Sequence, residues 1–271
     1  MTDQMNCGEA LVTLLESYGV DTVFGIPGVH TLDLYRGLAK SRIKVVTTRH
    51  EQGAGFMAEG YARVSGRPGV CFVITGPGLT NIATAMGQAY ADSVPMLVIA
   101  SVNETEHLGR GRGRLHEVTN QRAVAAPISS FSATAHHADD VPELVQRAYA
   151  TFESERPRPA YIEVPIDVLA APANFGARNR RAVSRAAPDA SAIAEAAEMI
   201  AAAERPVIVA GGGAQDQGAL LVEIAELAGA AVVLTTASKG AVADDHPLCV
   251  GATLALPDTQ ALLGAADLVL A

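Results

Sequence analysis

Unbroken apolar runs alternate with segments of helical period along most of this chain, and that alternation limits its fold class. Val70–Thr75 and Met96–Ser101 carry almost no polar side chains. A strand apolar on both sides must be covered on both sides, which a parallel sheet between helical layers provides. Further strands are expected at Val23–Phe24, Ile43–Thr48, Phe131–Ala135 and Ala160–Val164, with helices at Thr31–Lys40, His50–Ser65, Leu79–Asp92 and Asp139–Glu155. The first helix should begin at Asn6, whose spacing to Glu9 is that of a capping box. It aligns Leu11, Leu14, Leu15 and Tyr18 on one face and stops at Gly19.

The rhythm breaks at Pro165–Pro188, a stretch rich in Ala, Pro and Arg. The pattern then restarts, with helices at Ala190–Ala203 and Gln217–Ala228 and strands at Val207–Ala210, Val232–Leu234 and Ala266–Ala271. The organisation expected is a first α/β domain over residues 1–168, a linker over 169–188, and an incomplete second, Rossmann-like α/β domain over 189–271. A strand at the last residues would leave an unpaired edge, so the sequence reads as the N-terminal part of a longer chain.

Composition narrows the function. Basic and acidic side chains number 20 and 29, a net charge of −9, which disfavours nucleic acid and anionic membrane surfaces as partners. No apolar run reaches the roughly 18 residues of a membrane span, and the first ten residues lack a secretory pattern. Cys7, Cys71 and Cys249 lie far apart, which fits neither a disulfide framework nor a zinc site. They are expected as buried, reduced thiols of a cytoplasmic protein.

Three turns should leave the carboxyl ends of predicted strands, the edge where open α/β sheets bind ligands. They are Gly25-Ile26-Pro27-Gly28, Arg49-His50-Glu51-Gln52-Gly53 and Thr75-Gly76-Pro77-Gly78. Glycine there lets backbone approach a ligand closely. Glu51 opens a helix whose next residues are small and apolar. Its carboxylate could simply favour the helix N-terminal dipole, or a carboxyl in a dry cleft, with a raised pKa, could relay a proton.

The stretch RHEQGAGFMAEGYARVSGRPGVCFVITGPGLTNIATAMGQAYADSVPMLVIA resembles the pyrimidine-binding domain of thiamine-diphosphate enzymes, in particular the acetolactate synthase-like family. GEALVTLLESYGVDTVFGIPG and RPAYIEVPIDV match the start and end of that domain. The resemblance covers about Asn6–Val168 and continues through PVIVAGGGA into the family's central domain. It implies a 2-oxo acid decarboxylase or carboligase in which Glu51 bonds the cofactor's aminopyrimidine N1′ and relays its proton. It also places Ile26, Pro27, Gly28, Ile74, Thr75, Gly76, Pro77, Gly78 and Asn81 beside the pyrimidine, although Asn81 could instead cap a helix locally.

Family members dimerise or tetramerise so that this domain meets the diphosphate-binding domain of a neighbouring subunit. That domain carries a Gly-Asp-Gly motif and a later Asn that hold Mg²⁺ and diphosphate. No Gly-Asp-Gly occurs in these residues, so no metal ligands are expected here, and this stretch alone should be inactive. The central domain binds FAD in some members. Acetolactate synthases usually have Gln and Lys where His116 and Ile166 stand, whereas the opening GIPGVHTLDLYRGL and the RLHE segment resemble 5-guanidino-2-oxopentanoate decarboxylases. His30, His116 and Glu117 are the candidate substrate residues, with Glu104 a second possible acid for a guanidinium. His136-His137 and the Arg110–Arg114 run read as solvated loop.

Two rival readings are weaker. Gly211-Gly212-Gly213 follows a strand, but Asp216 stands where a dinucleotide fingerprint needs its third glycine. A non-catalytic scaffold remains the alternative from another class.

Overall fold

The computed structural model describes residues 5–175 and 183–271. The chain forms two compact units, Met1–Ala186 and Ala187–Ala271. Of the expected linker, residues 176–182 lie outside the described residues, as do residues 1–4.

In the first unit six strands form one sheet: β1 (Thr22–Gly25), β2 (Lys44–Thr47), β3 (Gly69–Val73), β4 (Met96–Val102), β5 (Phe131–Thr134) and β6 (Ala160–Pro165). Their order is β2-β1-β3-β4-β6-β5, and every pairing is parallel. Among the described residues seven α-helices accompany them: α1 (Cys7–Ser17), α2 (Leu32–Leu38), α3 (Glu51–Ser65), α4 (Pro77–Ala91), α5 (Gln121–Ala125), α6 (Asp140–Ser154) and α7 (Ile166–Ala170). This is the parallel sheet flanked by helices that the apolar runs predict.

Strand geometry splits the core in two, because successive side chains point to opposite faces. Val70 and Phe72 of β3 join Leu97 and Ile99 of β4 in a cluster with Leu11, Leu15, Val145 and Tyr149. Cys71 and Val73 join Val98 and Ala100 in a second cluster with Ala54, Ala58, Ile82 and Met86 of α3 and α4. All of these strand residues are fully buried. Each large side chain so placed contributes about 1.5–3 kcal/mol relative to exposure.

The Asn6 cap forms as the spacing predicts: Asn6 Oδ1 accepts from Glu9 N at 2.9 Å, and Glu9 Oε2 accepts from Asn6 N at 3.0 Å. Beyond β6, where the sequence suggests loss of regular structure, α7 forms. The following residues lie against α1, with Cys7 N donating to Ala171 O and Phe175 buried.

The second unit has its own parallel sheet, order β10-β7-β8-β9, of β7 (Pro206–Ala210), β8 (Ala231–Leu234), β9 (Cys249–Gly251) and β10 (Leu268–Leu270). Its helices are α8 (Ala190–Ala202), α9 (Gly218–Ala228) and α10 (Pro257–Ala265). Ile208, Val232, Leu234 and Ala225 centre its core. Cys7 and Cys71 are buried free thiols, whereas Cys249, on the short β9, is only half-buried. Among the described residues no helix is long and apolar enough to cross a membrane.

Candidate active site

The three predicted turns follow β1, β2 and β3, which are neighbours in the sheet, so they leave its carboxyl edge side by side. Glu51 is the first residue of α3 and is 9% exposed. His50 does the capping, its Nδ1 accepting from Gln52 N at 3.1 Å, which leaves the Glu51 carboxyl for another partner. That partner is Asn81, whose Nδ2 donates to Glu51 Oε2 at 2.9 Å. Asn81 lies inside α4 and caps nothing; it holds the carboxyl from the neighbouring helix. Glu51 Oε1 has no partner among the described residues.

Gly28 and Gly76 set the walls. A Cβ on Gly28 would stand 2.6 Å from Ile74 Cδ1, so the turns after β1 and β3 touch there. Gly76 has φ +62°, and a Cβ on it would stand 2.1 Å from the carbonyl oxygen of His116. Only glycine meets both demands. Thr75, Gly76 and Gly78 are buried, Ile26, Gly28 and Ile74 half-buried, and Pro27 and Pro77 exposed.

Two histidines meet over this turn. His30 is buried, and its Nδ1 lies 2.8 Å from Thr75 Oγ1. Its ring stands edge-on to His116, centroids 6.1 Å apart. Burial first, and the His116 charge second, lower the His30 pKa below the ordinary histidine value, against an opposing pull from Glu104. The imidazole is therefore neutral at pH 7. His116 itself has φ +58°, a left-handed conformation uncommon for a side-chain-bearing residue.

Glu117 does not join them. Its carboxylate accepts from the backbone N–H groups of Arg112 (3.2 Å) and Arg114 (2.9 Å), and these bonds lower its pKa. It braces the exposed Gly/Arg-rich loop. His136 and His137 are exposed, as their position predicts.

The structure adds residues that motif reading passed over. Gln121, Ser101, Tyr161 and Glu163 are buried beneath the Thr75-Gly76 turn and the β4 and β6 ends. Glu163 had a signal: a carboxylate inside an otherwise apolar strand is costly unless it is bonded. Burial raises its pKa, against hydrogen bonds from Thr134 and Tyr161. The Tyr35 hydroxyl is buried without a partner among the described residues, and burial, with the charges of Cys71 and Glu51, raises its pKa strongly.

Two family models match the chain. Residues 5–124 match the thiamine pyrophosphate enzyme, N-terminal TPP binding domain, and residues 193–271 the thiamine pyrophosphate enzyme, central domain. The chain belongs to the thiamine pyrophosphate enzymes. Among its relatives in that family is a protein of Pseudomonas aeruginosa named "Probable 2-ketoarginine decarboxylase AruI", 57% identical over 269 residues, 98% of this chain and 48% of that protein. Acetolactate synthase isozyme 1 large subunit of Escherichia coli K12 is 35% identical over 90% of this chain and 43% of its own length. Glyoxylate carboligase of Escherichia coli O157:H7 is 37% identical over 92% and 42%. The chain spans about half the length of these curated relatives.

The cleft suits the pyrimidine end of thiamine pyrophosphate (thiamine diphosphate). A buried carboxyl keeps one oxygen free, two glycines leave room where any Cβ would intrude, and Ile26 and Ile74 offer apolar wall beside them.

Proposed function

We propose that this chain is the pyrimidine-binding and central part of a thiamine-diphosphate-dependent 2-oxo acid decarboxylase, with 5-guanidino-2-oxopentanoate as its substrate. The observation that carries the reading is the Glu51–Asn81 pair. Asn81 fixes one carboxyl oxygen, so the other is aimed rather than free to rotate. Glu51 would hold a proton at Oε1 for N1′ of the aminopyrimidine and take it back. When bound, thiamine diphosphate supplies the electron sink that accepts the pair released as carbon dioxide leaves.

His30 acts on the substrate side. Thr75 occupies its Nδ1, so Nε2 is the nitrogen left for proton exchange: bare in the neutral imidazole, it would take a proton and return it from the imidazolium. His116 lies across the same turn and bounds the substrate space. The P. aeruginosa relative's name and 57% identity support the guanidinium-bearing substrate. The acetolactate synthase and glyoxylate carboligase relatives support carboligation as the second reading. We assign the Mg²⁺ and diphosphate ligands to a separate domain in a homodimer or homotetramer, with FAD as a possible further cofactor and the cytoplasm as the compartment.

The test is E51Q in the holoenzyme. Carbon dioxide release from 5-guanidino-2-oxopentanoate should fall by about 10²–10⁴. Undiminished release by E51Q with cofactor bound would overturn the role of Glu51. Ligation of pyruvate in preference to simple decarboxylation would favour the second reading.

A further inference from the structure

A line of buried hydrogen bonds runs from the cleft past β4 and β6 to the edge strand β5 and turns on one side chain that no motif singles out. Gln121 opens α5 and is 2% exposed. Its Oε1 accepts from Gly76 N at 2.6 Å. Its Nε2 donates to the Ser101 carbonyl and to the Tyr161 hydroxyl, each at 2.8 Å. Tyr161 in turn donates to Glu163 Oε2 at 3.1 Å, and Thr134 donates to Glu163 Oε1 at 2.7 Å.

The directions of these bonds are not interchangeable. The Gly76 N–H can only donate and the Ser101 carbonyl can only accept. Those two fixed groups point the Gln121 oxygen toward Gly76 and its nitrogen toward Ser101 and Tyr161. Tyr161 then accepts from Gln121 and donates its one proton to Glu163. Ser101 closes the circuit, since its Oγ accepts from Thr75 N at 3.1 Å and from Thr75 Oγ1 at 3.3 Å. Thr75 is the residue bonded to His30. A glutamate at 121 would lack the two donors, and a leucine would lack donors and acceptor alike.

We propose that Gln121 is a positioning residue of the cleft: it holds the Thr75-Gly76 turn in the conformation that keeps Thr75 on His30 and Gly76 beneath His116, with the Gly76 N–H and the Ser101 carbonyl setting the direction of its amide. The inference deepens the thiamine-diphosphate reading and rests on it for its consequence in catalysis. Gln121 touches no substrate; it acts through the turn.

Two variants of the holoenzyme test this, Q121L and Y161F, each with two readouts. One is kcat and KM for 2-oxo acid decarboxylation. The other is the NMR titration of His30 in histidine-labelled protein, with His116 and Glu104 as the charged neighbours whose influence both variants retain. Q121L should lower kcat about 10²-fold, the scale of a misplacement near 1 Å, while KM changes less than about threefold. It should also move the His30 midpoint up toward the ordinary histidine value as water reaches the ring. Y161F keeps the bonds to Gly76 and Ser101 and should lose less than about tenfold in kcat. If Q121L does not fold, Q121N, one methylene too short to span the same partners, should give the same pattern. An unchanged His30 midpoint in the folded variant, or a loss of rate that only follows the folded fraction, would overturn the proposal. The His30 titration does not depend on which reaction is run. A shifted midpoint beside normal turnover by E51Q would leave Gln121 standing and remove the proposed chemistry.

Discussion

The turns after β3 and β7 are both rich in glycine and lead into helices, and they differ in how closely another segment presses on them. After β3, Gly76 has a left-handed backbone and lies against the His116 carbonyl, while Gln121 grips its N–H from below. After β7, Gly211 has an ordinary φ of −100°; a Cβ on Gly211 or Gly213 would meet no atom within 4 Å, and one on Gly212 would meet only the Ala237 methyl at 3.2 Å and its carbonyl at 4.0 Å. The second turn has more consecutive glycines and less need of them. What distinguishes the β3 turn is a left-handed glycine pressed against backbone, which glycine count alone does not report.

Replacing the glycines in order tests that contrast. G76A should be the most damaging, because it combines a left-handed φ with a clash against backbone that cannot swing aside. We expect about 3 kcal/mol of lost stability in urea melts, and loss of cofactor affinity by calorimetric titration. G28A meets only the flexible end of Ile74, and should cost about 1 kcal/mol while narrowing the cleft.

Acid gives a third, smaller test of the enclosed turn. The His30 pKa is lowered in the folded state, so the unfolded chain binds more protons as pH falls through the histidine range. Its contribution to stability is whole above the ordinary histidine value near 6.5. It is lost as pH drops from there through the lower folded value. Melts across that interval should show the slope in the parent and a flatter one in H30Q. The smallest effect is expected at the open turn, where G213A should change stability by no more than about 0.5 kcal/mol. A large cost there would break the contrast.

The same distinction explains how far the sequence could be read. The β3, β4 and β6 strands were legible because residues buried on both faces leave a long apolar run. The helices α3 and α4 were legible from their period, and the observed α3 begins one residue after the expected His50. The short β9, α5 and α7 escaped, whereas the equally short β1, β8 and β10 were marked by their apolar runs. Glu51 and the glycine turns were visible as motifs. The Asn81 bond was not, since its partner lies 30 residues away on another helix. Gln121 was harder still, because it is 45 residues from Gly76 and an internal Gln looks like any polar residue until its three partners are known. Glu117, the acid of the RLHE segment, stands as a candidate substrate residue in the sequence, and its bonds to the Arg112 and Arg114 backbone were not legible there.

Asn81 sits one helical turn beyond Pro77, so the wall of the cleft and the hand that steadies its acid ride on a single stiff rod. Any tilt of α4 moves both together. Selection for a wider pocket through a shift of α4 would thereby retune the proposed proton donor at the same stroke, tying pocket width and proton relay to one mechanical coordinate.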